Sequence, residues 1–174
     1  MLIQPYKKSW KDDFTSISSI LKEALVGFKI SIEHIGSTSI PDLAAKPIID
    51  IDIAYYLPDD FEKIKSGLEK IGYHHNGNQG IPDREVFKRN STTNKYKVLD
   101  SISHHLYVCP AHSEELQKHI LFRDHLLKNE AARIQYQIMK FEIAEEANQD
   151  RKKYAQLKEV KTRAFINTSI KNEK

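Results

Sequence analysis

The chain has 174 residues, 27 Lys+Arg against 24 Asp+Glu for a formal net charge of +3, and 40% hydrophobic against 29% charged residues. These values exclude a disordered or fibrous chain, and so small a net charge does not mark a nucleic-acid binder. One cysteine, Cys109, excludes an internal disulfide and a Cys-based zinc cage. No apolar run is long enough to span a bilayer, and Met-Leu-Ile-Gln-Pro-Tyr-Lys-Lys lacks the apolar stretch of a signal peptide. A soluble cytoplasmic protein without a membrane partner is the expectation.

Residues 8–26 read as an amphipathic helix, with Trp10, Phe14, Ile17, Leu21 and Leu25 at spacings of three and four and Gly27 placed to stop it. Phe28 to Ile35 alternates with period two, as a strand does, and ends in the small polar turn Gly36-Ser37-Thr38-Ser39. A second strand follows from Ile48 to Ala54. Leu57-Pro58-Asp59-Asp60 opens the next helix, with Asp59 and Glu62 spaced like a capping box and Gly72 beyond its end. Residues 76–94 read as loops around a short strand at Glu85–Lys88, and Ile102 to Cys109 reads as a later strand. From Ser113 onward the pattern is helical, near 114–128, 130–147 and 150–168, with Ser113 and Asn129 as N-caps. Leu116/Ile120 and Ile134/Ile138/Phe141 have the spacing of core-facing residues. The layout is a mixed α/β core, about 1–110, with a helical half, about 113–170, packed on it as one domain.

Asp50-Ile51-Asp52 is the strongest chemical signal. Alternate residues of a strand share a face, so both aspartates point one way, their Cα atoms ~6.6 Å apart, and the flanking isoleucines point the other. Two carboxylates about 6 Å apart repel by ~3 kcal/mol at an effective dielectric near 20. Such a pair calls for a cation, a base or a shared proton, and suits Mg²⁺ held together with substrate phosphates. The plainer alternative is a half-exposed strand with solvated acids. Upstream, Gly36-Ser37 can turn backbone N–H groups and a hydroxyl toward a phosphate, or can simply end a strand. No Walker loop and no Gly-x-Gly-x-x-Gly occurs.

Strand, Gly36-Ser37, a short linker and Asp50-x-Asp52 together resemble the nucleotidyltransferase superfamily signature. The longer run from His34-Ile35-Gly36-Ser37 through Lys46-Pro47-Ile48-Ile49-Asp50-Ile51-Asp52 is similar to the GrpB family of small bacterial proteins. Gly80-Ile81-Pro82-Asp83-Arg84, His104-His105-Leu106-Tyr107-Val108, Leu121-Phe122-Arg123-Asp124-His125-Leu126, Tyr136 with Lys140, and Tyr154 to Lys161 resemble further family motifs in order. The resemblance runs from about Pro5 to about Ile166. It implies a nucleotidyltransferase-like α/β (α+β) fold, a mixed sheet flanked by helices.

The resemblance also implies Mg²⁺ or Mn²⁺ on Asp50 and Asp52, with Gly36, Ser37 and Thr38 at the nucleotide phosphates. Active members of the superfamily carry a third carboxylate on a neighbouring strand, and here that strand reads Ser103-His104-His105-Leu106-Tyr107. Its more polar face holds His105, taken as the third catalytic candidate because a neutral imidazole binds metal or takes a proton near pH 7. Lys46, Arg84 and Arg123 are candidate phosphate cations, Arg84 from a Gly/Pro loop. Arg123 suits better an ion pair with Asp124 that anchors its helix. His74, His75, His112 and His119 lack ligand spacing and read as structural. The expected function is metal-dependent nucleotidyl transfer from a nucleoside triphosphate to an acceptor, with RNA one acceptor left open. The alternative is a non-catalytic module that binds a nucleotide or phosphometabolite on the same fold.

Overall fold

The computed structural model describes residues 1–90 and 95–173. Its elements in chain order are α1 (Ser9–Ala24), β1 (Ile30–Ile35), β2 (Ile49–Tyr55), α2 (Phe61–Lys70), β3 (Tyr73–His75), β4 (Glu85–Arg89), α3 (Lys97–Ser101), β5 (His104–Pro110), α4 (Glu114–Lys128), α5 (Glu130–Glu146) and α6 (Arg151–Lys171). Short 3₁₀ turns occupy Ser37–Ser39 and Pro58–Asp60. The five strands form one mixed sheet in the order β1-β2-β5-β4-β3. Only β2 and β5 run parallel; the other pairs are antiparallel. Among the described residues no helix is long and apolar enough to cross a membrane.

The period-two pattern of β2 sorts the two layers. Ile49, Ile51 and Ile53 are buried against Trp10, Ile17, Leu21 and Leu25 of α1 and its end, and Ile64 and Leu68 of α2. Each isoleucine removed from water in this way contributes roughly 1.5–3 kcal/mol. The opposite face carries Asp50, Asp52 and Ala54, and Ala54 packs with Cys109 and Leu116 under α4. Helices α4–α6 therefore stand over the polar face of β2. Residues 40–44 fill the space between them: Ile40 and Leu43 pack with Leu126, Ala132 and Tyr136, and Ala44 packs with Ile143, Ala144 and Tyr154.

Local chemistry accounts for the helix starts. Ser113 and Asn129 cap α4 and α5, accepting from the backbone N–H groups of Leu116 and Ala132, and Asp150 caps α6 by accepting from Lys153. The Asp59–Glu62 capping box does not form. Residues 58–60 make a 3₁₀ turn that delivers Asp60 in helical conformation as the N-cap of α2, without a side-chain cap bond. β3 and α3 lie in stretches without periodicity: β3 pairs with β4, and α3 is held by Leu99 in the core. The loop expected over residues 91–94 lies outside the described residues.

The Ile134/Ile138/Phe141 stripe does not face the core. These side chains are 50%, 52% and 38% exposed, because the inward face of α5 is Ala132, Tyr136, Lys140, Ile143 and Ala144. Leu116, by contrast, is buried as its spacing predicts, with Ile120 packed beside it.

Candidate functional site

The turn after β1 is shaped by Gly36, with φ 72° and ψ −175°, a conformation open to glycine. A Cβ at Gly36 would lie 2.4 Å from Oδ2 of Asp50, so the missing side chain lets the turn close onto that carboxylate. Ser39 Oγ donates to the Gly36 carbonyl at 2.6 Å. Buried Thr38 ties the turn to the start of β2: its Oγ1 donates to the Ile48 carbonyl at 3.1 Å. That commits the hydroxyl proton, so Thr38 Oγ1 accepts from Nε2–H of His34 at 3.1 Å. His34 stacks on Phe14 at 4.6 Å, and burial pushes its imidazole down to about 4 against the opposing pull of Asp50. Ser37 Oγ accepts from Nζ of Lys140 at 3.2 Å.

Asp50 and Asp52 share the polar face of β2 but not one environment. The sheet register sets Asp50 between Ile35 and His105, and Asp52 between Glu33 and Tyr107. Asp50 is half-buried, and His105 Nδ1 donates to its Oδ1 at 2.9 Å. Asp52 is 1% exposed, and His119 of α4 donates from Nδ1 to its Oδ2 at 2.7 Å. Burial pulls the His119 imidazole down, but the hydrogen bond and charge of Asp52, with Glu115, raise it on balance. The other Asp52 oxygen, Oδ1, is buried without a hydrogen-bond partner. An unsatisfied buried polar atom costs about 1–3 kcal/mol, and more when it is charged.

That orphaned oxygen tests the implied divalent cation. Among the described residues no group of three or more His, Cys, Asp or Glu is arranged to hold a metal ion. The chain thus offers two carboxylates, each with one oxygen held by a histidine and the second not taken by it. A hard cation that takes one or two carboxylates and completes its shell with water and phosphate fits this donor set. On β5 the residues in register with Asp50 and Asp52 are His105 and Tyr107.

Asp50, His105 and Tyr107 border a cleft of about 960 Å³ between the sheet and α4–α6. Seven lysines and arginines line it against three acids, Asp50, Glu115 and Glu159, so its field favours an anion. The cations differ in availability. Arg123 is paired with Glu33 and Asp124, both at 2.9 Å, and bonds the His34 carbonyl at 3.2 Å, fastening α4 to β1. Lys46 lies 4.2 Å from the ring centroid of Tyr154, and burial with neighbouring Lys158 and Arg151 lowers its pKa. Arg84 stands over Tyr107 at 4.7 Å. Gly36, Ser37, Thr38, Lys46, Asp50, Arg84, His105 and Arg123 all border this one cleft, with Asp52 behind His119.

Two residues without a sequence-predicted role complete the site. His119 read as structural, yet it holds Asp52; Glu115, His119, Phe122, Arg123 and Leu126 form one stripe of α4 along the cleft. Lys140, 1% exposed, bonds the Ala44 carbonyl as well as Ser37 and lies 5.0 Å from the Tyr136 ring. Burial, with Lys158 nearby, holds its pKa well below the usual lysine value. Lys158 behaves oppositely: Tyr136, supported by Tyr154 and Asp50, raises its pKa against the effect of burial. The signal for Lys140 was its place four residues after Tyr136 on one helix face. His75 and His104 are partly buried, bonded to Glu85 at 2.5 Å and to Tyr73 at 2.6 Å respectively.

Comparison with known proteins matches residues 1–170 to the family described as GrpB protein. The glutamate-rich protein GrpB of Alkalihalophilus pseudofirmus is 30% identical over 158 residues, 88% of this chain and 87% of the relative. YqkA of Bacillus subtilis is 28% identical over 97% of this chain, which spans only 46% of that longer relative. Among solved structures, the conserved protein GrpB from Enterococcus faecalis superposes with TM-score 0.78 at 28% identity, covering 98% of this chain and 96% of its own. Cid1 in complex with its short product ApU gives TM-score 0.53 at 13% identity over 82% of this chain and 43% of Cid1, a likeness of fold alone.

Proposed function

The chain belongs to the GrpB family, and from that premise we propose that its cleft binds a nucleoside triphosphate with a divalent cation and transfers the nucleotidyl group to an acceptor hydroxyl. The observation that carries this is the pair Asp50/Asp52, each steered by a histidine, under a cation-rich cleft beside a glycine turn. Likeness of fold to Cid1, whose structure holds its product ApU, supports the ligand class.

Asp50 and Asp52 would hold Mg²⁺ or Mn²⁺, which when bound offsets the charge that develops on the reacting phosphate. The chain's own part is positioning. Gly36 brings the backbone of its turn against Asp50, and Lys140 fixes Ser37, so the turn presents its polar groups in one arrangement. Lys46 and Lys158 place positive charge at this end of the cleft for the leaving phosphates. His105 and His119 orient the two carboxylates and leave one oxygen of each for the cation.

A second reading is favoured by one observation: His105 and Tyr107, not an acid, flank the aspartates on β5. In that reading the cleft binds a nucleotide or phosphometabolite without turning it over. Thermal shift with nucleoside triphosphates and Mg²⁺ or Mn²⁺, followed by a pyrophosphate-release assay, separates the two. Cation-dependent binding with pyrophosphate release is expected, and Asp50→Asn should abolish both while leaving the fold intact. Binding without release under all acceptors tried selects the second reading. Equal cation-dependent binding by Asp50→Asn and the parent refutes the carboxylate site.

A further inference from the structure

The cleft has two cationic ends. Beside Asp50 lie the Gly36–Ser37 turn, Lys46 and Lys158; the charges felt by Lys46 are those of Lys158, Arg151 and Asp50. Arg84 is not among the charges felt by Lys46 or Lys158. It covers Tyr107, the β5 neighbour of Asp52, and its charge is felt by His119, Tyr107 and Cys109; of these Tyr107 also feels Lys158 and Asp50. The remaining arginines and Lys118 of the cleft are spent on ion pairs with Glu33, Asp124, Glu159 and Glu115. Arg84 lines the same cleft with no ion pair or hydrogen bond among the described residues; its Nε is buried, so the outer guanidinium N–H groups are the ones left to meet an oxyanion. The guanidinium is planar and already braced on a ring, which suits bidentate capture of a carboxylate or phosphate.

We propose that the Arg84–Tyr107 end is a second anion subsite, which holds the carboxylate or phosphate of a small acceptor with its hydroxyl toward His119, the residue that covers Asp52. This rests on the nucleotidyl-transfer reading above. A cleft of about 960 Å³ is at the upper end of the ~300–1,000 Å³ range of small-molecule sites, room for donor and acceptor together. In the transfer, the acceptor oxygen bonds the α-phosphorus as the bond from that phosphorus to the bridging oxygen of pyrophosphate breaks. Pyrophosphate leaves with the electron pair, and the hydroxyl proton passes to water.

The test is calorimetric titration of glycerol 3-phosphate, glycerate and uncharged glycerol into the parent protein, Arg84→Gln and Arg84→Lys. Each is titrated with and without saturating non-hydrolysable ATP or UTP analogue and Mg²⁺. At least one anion binds the parent and glycerol does not; the anion that binds identifies phosphate or carboxylate as the group recognised. Arg84→Gln weakens that anion at least tenfold, Arg84→Lys less, and the affinity for the triphosphate analogue changes less than twofold. Failure of both anions to bind the parent, or equal anion affinity in Arg84→Gln, overturns the subsite. Loss of triphosphate affinity in step with anion affinity also overturns it, since Arg84 then serves the nucleotide. Arg84-dependent anion binding in a protein that binds no triphosphate keeps the subsite and refutes the transfer reading instead.

Discussion

Gly36→Ala is the substitution with the most explicit structural consequence. Two costs combine. A side chain at φ 72°, ψ −175° carries backbone strain of roughly 1–3 kcal/mol. The new methyl also lands 2.4 Å from Asp50 Oδ2 and 3.1 Å from its Cβ and Cγ, so the carboxylate must swing away or the turn must lift. Swinging breaks the 2.9 Å bond from His105, and lifting opens the end of the β1–β2 ladder at Ile35–Asp50. A total loss of about 2–4 kcal/mol follows; at ~2–4 °C per kcal/mol for a chain of this size, the Tm falls by about 4–16 °C. Urea unfolding and calorimetry measure it, with Gly77→Ala as the control, since Gly77 also has positive φ (68°) but nothing within 4 Å of its Cβ site. The contact with Asp50 is isolated by repeating Gly36→Ala in an Asp50→Ala background, where the methyl has room and the cost should shrink by at least about 1 kcal/mol. Additive effects of the two substitutions, or a Gly36→Ala cost no larger than that of Gly77→Ala, would refute the reasoning.

Two other perturbations probe the histidines. His119→Leu leaves the 1% exposed Asp52 carboxylate without its partner and should destabilise by about 3–5 kcal/mol near neutral pH, most of it recovered in His119→Leu/Asp52→Asn. Urea unfolding of the cycle checks this, and a double variant no more stable than His119→Leu alone counts against the pairing. His34 gives a pH signature. Its folded pKa, about 4, lies below the unfolded value near 6.5, so the unfolded chain binds the extra proton first. The favourable state of neutral His34 is therefore complete above about pH 6.5, and up to about 3 kcal/mol is lost as the pH falls through 4. The difference in unfolding free energy between the parent and His34→Gln, measured from pH 7 to 4, should carry that slope; a pH-independent difference refutes it.

The elements that a sequence reader locates here are those whose signal is local. Period-three-and-four spacing in α1 and period-two alternation in β1 and β2 reflect which residues face the core, and side-chain caps at Ser113 and Asn129 mark helix starts. β3 and α3 are three and five residues long, too short for any period, and owe their form to pairing with β4 and to Leu99 in the core. The facing of α5 departs from its apolar spacing for a related reason: it buries Lys140 where an apolar residue is expected and exposes Ile134 and Ile138. A lysine is placed inside because two oxygens, of Ser37 and Ala44, await its Nζ, and both lie about a hundred residues upstream.

The two aspartates make the same point within the site. Their spacing predicts that they share a face, and they do, but nothing in Asp50-Ile51-Asp52 distinguishes one from the other. The distinction comes from what lies above. Asp50, at the open end beside Gly36, meets an exposed His105 on the neighbouring strand; Asp52, two residues deeper, lies under His119 from α4, whose angle over the sheet is held by Arg123 on Glu33. Glu33 is itself the β1 residue opposite Asp52, so one register pairs an acid that anchors the helix with the acid that the helix covers. Arg123 thus belongs to the site as the residue that seats α4 and, through α4, His119. Its worth lies in that position, not in a free positive charge.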